Sequence, residues 1–231
     1  MARFTKSWRV FFFLLAIGVC AAAFGEEAEA TPKPLPPAAA STDESDMRKR
    51  FLYEYQTAKT PELRAVAVRL LQGLKEQKSM RLITGMLGDS NDGVRQSACV
   101  VMSATPDSNG YFVKPLMGAL TDNAAAVRIS AAEALARQKI RGDAIKALLL
   151  ALLNNTAAPQ MDALSTAAVI QACDRALERL TGEKSKDRDS ESLGRFWKSY
   201  WSQHEEEIRA EDKKHLAADD SRWGEEQWPG K

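Results

Sequence analysis

Residues 120–135 read Leu120-Thr121-Asp122-Asn123-Ala124-Ala125-Ala126-Val127-Arg128-Ile129-Ser130-Ala131-Ala132-Glu133-Ala134-Leu135, a short turn followed by an alanine-rich helix. A fainter copy stands 33 residues upstream, where Leu87, Asp89, Val94, Arg95, Ser97 and Ala98 take the places of Leu120, Asp122, Val127, Arg128, Ser130 and Ala131. So many matches at one offset indicate an internal repeat. A period of roughly twenty to fifty residues marks stacked supersecondary units, none of which buries its apolar face alone. The expected fold is all-α, an α-solenoid of antiparallel helix pairs. Abundant alanine and an aromatic content of only 7% oppose an all-β chain.

Upstream of the repeat, Met47, Phe51, Leu52 and Tyr55 recur at helical spacing and predict an amphipathic helix over 46–59. Thr60-Pro61-Glu62 has the hydroxyl cap, first-turn proline and acid of a helix start. The helix it opens, expected over 63–74, sets Arg64 and Ala67 31 residues before Arg95 and Ala98. Ser79 is expected to cap a helix running to Leu87, with 88–93 as the turn and 94–104 as the returning helix, stopped by Pro106. Pro115 belongs in the first turn of a helix ending near Leu120, and 125–138 follows as the strongest helix. Asp143 is expected to cap 144–153, with 154–159 a longer turn and 160–180 the return. There Ala176-Leu177 aligns with Ala134-Leu135 at an offset of 42. Gly182 occupies a capping position.

The pattern Leu-x-Asp-x-x-x-x-Val-Arg-x-x-Ala, present at 87–98 and 120–131, resembles that of HEAT-repeat proteins, particularly an exported bacterial type similar to the short-repeat phycobilisome lyase subunits. The likeness spans 60–182. It implies a polar ladder of Asp89, Arg95, Asp122 and Arg128 between neighbouring turns. An acid in a turn and a guanidinium in the next helix also satisfy exposed backbone groups at helix ends. Leu180-Thr181-Gly182 followed by paired tryptophans is similar to the closing segment of some exported HEAT-repeat proteins.

The first 23 residues have the basic, apolar and small-residue order of a signal peptide, with Arg3, Lys6 and Arg9 ahead of an apolar run from Val10 and then Ala21-Ala22-Ala23. The expectation is an exported chain, periplasmic or secreted, with no stable membrane span after processing. An uncleaved N-terminal tether is the alternative. Residues 24–46 are rich in proline and acid and read as a flexible spacer. The repeats are assigned to 47–182 and a capping helix with a polar tail to 183–231. Phe196, Trp197, Tyr200 and Trp201 form a stripe suited to closing the last repeat. Residues 203–220, charged almost all round, are expected to form a solvated or frayed helix. The burial of Trp223 and Trp228 in the tail is left open.

No phosphate-binding loop, nucleophile elbow or paired-histidine zinc helix is present. His204, Glu211 and His215 lie near one helical face, but two to three turns span about 16 Å, too far for one ion. No catalytic residue, metal or cofactor is assigned. Cys99 and Cys173 are read as buried free thiols. Removing Arg3, Lys6 and Arg9 from the 32 basic residues leaves 29 against 31 acidic, a net charge of −2 that opposes binding to nucleic acid. The leading expectation is a noncatalytic scaffold for a protein partner, with Arg95, Gln96, Arg128, Glu133 and Arg137 as candidate contacts. A lyase-like enzyme or lyase subunit on the same repeat, and a nucleic-acid-binding helical repeat, are the alternatives. Oligomeric state is left open.

Overall fold

The computed structural model describes residues 43–105, 110–157, 162–186 and 189–219. The stretch read as a signal peptide, most of the stretch read as spacer, Pro106 and the tail tryptophans lie outside the described residues. Among the described residues the chain is all-α. Its nine helices are α1 (Glu44–Thr57), α2 (Pro61–Val68), α3 (Gln77–Gly85), α4 (Asp92–Ala104), α5 (Val113–Ala119), α6 (Ala125–Leu135), α7 (Gly142–Ala157), α8 (Ala163–Thr181) and α9 (Ser190–Asp219). Helices α2, α4, α6 and α8 pack each on the next, while α1, α3, α5 and α7 lie against their even-numbered successors. Helix α9 returns across α7 and α8.

The offsets of 31, 33 and 42 carry the buried positions through the row. Leu71, Met102, Leu135 and Leu177 share one register and are all fully buried. Each such side chain contributes roughly 1.5–3 kcal/mol when removed from water. Ala67, Ala98, Ala131 and Cys173 share another buried register, so a small side chain recurs at the same level of every stacked helix. Small side chains at such a contact let helices approach closely.

Local signals account for most helix ends. The Thr60 hydroxyl accepts from the Leu63 amide at 3.4 Å, with Pro61 at the first helical position. Asn91 and Asp162 cap α4 and α8 in the same manner. Gly182 closes α8 at φ +80°, a left-handed conformation that favours glycine, and its amide donates to the Glu178 carbonyl at 2.9 Å.

Several sequence expectations are corrected. Helix α1 begins at Glu44, inside the stretch read as spacer. Helix α2 yields after Val68 to a single 3₁₀ turn, because Gly73 at φ +82° turns the chain back and its amide meets the Thr105 hydroxyl at 3.3 Å. Helix α6 ends at Leu135, three residues early. Helix α7 continues to Ala157, through residues read as turn. Ser79 and Asp143 lie inside α3 and α7 and do not cap them. Residues 203–219 belong to the continuous 30-residue α9, a helix exposed along most of this stretch as expected, but with Ile208 and Asp212 buried.

Candidate functional site

Between the stacked helices runs a series of polar contacts, each joining a guanidinium on one stacked helix to a side chain that precedes the next helix of the row. In the first, the Asp89 carboxylate accepts from the Asn91 amide at 2.8 Å and from the Tyr55 hydroxyl, and lies 3.5 Å from Arg64. In the second, Arg95 forks onto Asp122, with Nε and Nη2 at 2.7 and 2.8 Å from its two oxygens. The remaining guanidinium nitrogen of Arg95 donates to the carbonyls of Asp89 and Ser90 at 2.9 and 3.1 Å. In the third, Arg128 donates to the Asp122 carbonyl and, at 3.2 Å, to the Asn155 side chain. Asn155 thus stands where a third turn acid would be expected.

The electrostatics follow from these partners. The Arg95 fork holds Asp122 below the usual carboxylate range, against the opposing effect of its partial burial. Burial alone would raise Asp89, but the Tyr55 hydroxyl, the Asn91 amide and Arg64 outweigh it and the net shift is downward. Burial, reinforced by the hydrogen bond to Asp89, pushes the Tyr55 phenol up to about 12. These groups are held in one protonation state at neutral pH. They are suited to joining helices, and among the described residues no perturbed acid sits beside a base in the manner of general acid–base chemistry.

The candidate contact residues divide on this basis. The Arg95 guanidinium is committed to five acceptor oxygens of the chain itself, two of them on Asp122. Arg128 is buried, with its guanidinium on the Asp122 carbonyl and the Asn155 side chain. Gln96 is half-buried, and Glu133 and Arg137 are exposed.

At the far end of the row, Trp197 and Trp201 are buried and Phe196 and Tyr200 are half-buried. Phe196 and Tyr200 meet Trp197 edge to face, with centroids 4.8 and 5.9 Å away. The Trp197 indole donates to the buried Asp174 carboxylate at 2.7 Å. Asp174 occupies the register of Val68, Cys99 and Ala132, so a polar residue replaces an apolar one where the closing helix supplies a donor.

Two contacts that sequence reasoning missed join helices far apart in the chain. Asp212 of α9 accepts the Arg141 and Gly142 amides at 2.9 and 2.6 Å, at the start of α7. Glu44 of α1 accepts the Lys75 and Glu76 amides at 2.8 and 2.9 Å, ahead of α3, and the Ser79 hydroxyl at 3.2 Å. Both carboxylates meet the positive end of a helix dipole. The sequence signal at these two helix starts comes from the local polar residues Ser79 and Asp143 instead.

His204 stacks on Tyr200 at 4.3 Å, Glu211 pairs with Arg141, and His215 is exposed. Among the described residues no three His, Cys, Asp or Glu side chains gather as a metal site. Cys99 and Cys173 are buried free thiols, and burial pushes each up to about 12. No helix among the described residues is long and apolar enough to cross a membrane. No protein-family model matches the chain, and a search of curated proteins finds no match either.

Proposed function

We propose that the protein is a noncatalytic scaffold, an exported HEAT-type α-solenoid, that holds a protein partner along the outward faces of its stacked helices. One observation carries this reading. The register of Arg69, in the 3₁₀ turn that ends α2, and of Val100, Glu133 and Arg175 in α4, α6 and α8 is exposed at every step of the row and changes chemistry from each to the next. The buried registers beside it repeat leucine-like and alanine-like side chains. Repetition serves the stack, and the surface that varies is the surface free to specify a partner. The acids and arginines of the series are occupied in joining helices.

The test is a pull-down of the tagged protein from its native envelope fraction, alongside the double variant Glu133→Arg/Arg137→Glu. The expected result is one stoichiometric protein on the wild type and its loss from the variant, with helicity and melting temperature unchanged. Absence of a stoichiometric protein, or equal retention by both forms, would sink the proposal.

A further inference from the structure

The row α2, α4, α6, α8 is finished differently at its two ends. Helix α9 covers the α8 end with buried Trp197 and Trp201. At the α2 end, Leu63 and Val66 remain 49% and 57% exposed. Their equivalents further along the row are covered. Val94, Val127 and Val169 are all at 0%, and Ser97, Ser130 and Ala172 are at 8% or less. Leu70 is half-buried where Val101 and Ala134 are fully buried. The exposed stripe of α2 therefore presents apolar side chains at positions that elsewhere receive the preceding helix of the row.

The stripe is also self-complementary. Glu62 and Leu63 stand at its start, Val66 at its middle, and Arg69 and Leu70 at its end, in the 3₁₀ turn that directly continues α2. Glu62 and Arg69 are about two turns apart, roughly 10 Å along the axis, too far to pair with each other. Neither takes part in an ion pair among the described residues. Two copies of α2 laid antiparallel would bring Glu62 of each beside Arg69 of the other, and Leu63 beside Leu70. A parallel arrangement would set like charges together.

We infer that this face of α2 seats a second copy of the same chain, docked antiparallel across a two-fold axis near Val66. The dimer joins two rows end to end and covers the apolar stripe. Its interface is isologous, with each patch meeting itself. This inference does not depend on the protein-partner reading, because it concerns purified chain alone.

The experiment is sedimentation equilibrium of the full chain from roughly 5 to 500 µM, a wide range because one helix pair lies at the small end of specific interfaces. The wild type is expected to reach dimer, and Glu62→Arg or Arg69→Glu alone to weaken dimerisation at least about tenfold by opposing like charges. An equimolar mixture of the two variants is then complementary at both pairs and should form a 1:1 heterodimer about as tight as the wild-type dimer. Thermal melts of each variant establish that the fold is kept, and recovery in the mixture requires folded chains in any case. A monomeric wild type throughout the range, single variants that dimerise as tightly as the wild type, or a mixture no tighter than either variant alone would overturn the inference.

Discussion

Replacing Asp212 by alanine probes the least expected joint in the molecule. Asp212 is buried, and its two oxygens accept the amides of Arg141 and Gly142 at the start of α7. The alanine variant leaves the buried Gly142 amide without its acceptor and the Arg141 amide dependent on water. A hydrogen bond to a charged group contributes about 1.5–3 kcal/mol, and a carboxylate at a helix N-terminus about 0.3–1 kcal/mol more. The two bonds share one carboxylate and do not add in full, so about 3 kcal/mol is the expected loss. For a chain of this size that lowers the melting temperature by about 6–12 °C. Asp212→Asn keeps one acceptor oxygen and should lose about half as much. Asp143 is the internal comparison. It is exposed, paired among the described residues with Arg209 at 3.1 Å, and Asp143→Ala should change stability by less than about 0.5 kcal/mol. Urea unfolding followed by circular dichroism measures all three. A loss below about 1 kcal/mol for Asp212→Ala, or an equal loss for Asp143→Ala, would refute the assignment of the cap to α9 and return it to the first turn of α7.

Other joints make their own predictions. Trp197→Phe removes the donor to buried Asp174 and should cost about 2–4 kcal/mol, while adding Asp174→Val, the residue type at Val68 in the same register, should recover most of it in a double-mutant cycle of unfolding free energies. Asp89 and Asp122 have folded pKa values below those of the unfolded chain, so their contribution is present above about pH 4 and is lost as the pH falls through the folded values. Acid titration of stability should therefore show a shallower slope in Asp122→Asn than in the wild type, and identical slopes would count against the Arg95 fork as its cause. Cys99 and Cys173 should resist a thiol probe in the native state and react in denaturant without reductant. Their failure to react once unfolded would contradict two free thiols.

What could be read from the sequence was whatever physics makes local. Thr60 with Pro61, and Gly182, act on amides and carbonyls within four residues, and both ends they predict are found, whereas the Asp162 cap sets the start of α8 at Ala163 rather than at the expected residue 160. The registers through Ala67, Ala98 and Ala131 were legible because the same neighbour is met at each step of the row. The acid–arginine series was legible in composition but not in its partners. Arg95 reaches forward to Asp122, 27 residues on, and Arg128 finds Asn155 rather than an acid. The variable register at Arg69, Val100, Glu133 and Arg175 emerges only once burial separates it from the repeating ones.

The errors share one physical cause. An α-helix leaves its first four amides without partners, and any well-placed oxygen can take them, whether from the preceding residues or from another helix. Ser79 and Asp143 satisfied the local pattern, but Glu44 and Asp212 bring a full charge from α1 and α9, the first and last helices described. The same substitution of distant for local partners explains Asp174, a charge in an apolar register that is tolerable only because α9 delivers the Trp197 indole. The charged helix expected over 203–220 is exposed along most of its described length, and departs from that reading at two positions. In α9 the single carboxylate of Asp212 and the side chain of Ile208 face inward, and Arg209 beside them lies 5.6 Å over Trp201 while pairing with Glu205 and Asp143. At the closed end of the row, polar side chains thus do what alanine and leucine do in its middle. At the open end, the stripe of Leu63 and Val66 has no such covering among the described residues, so it is the place in the stack where a further helix would remove the most apolar surface from water.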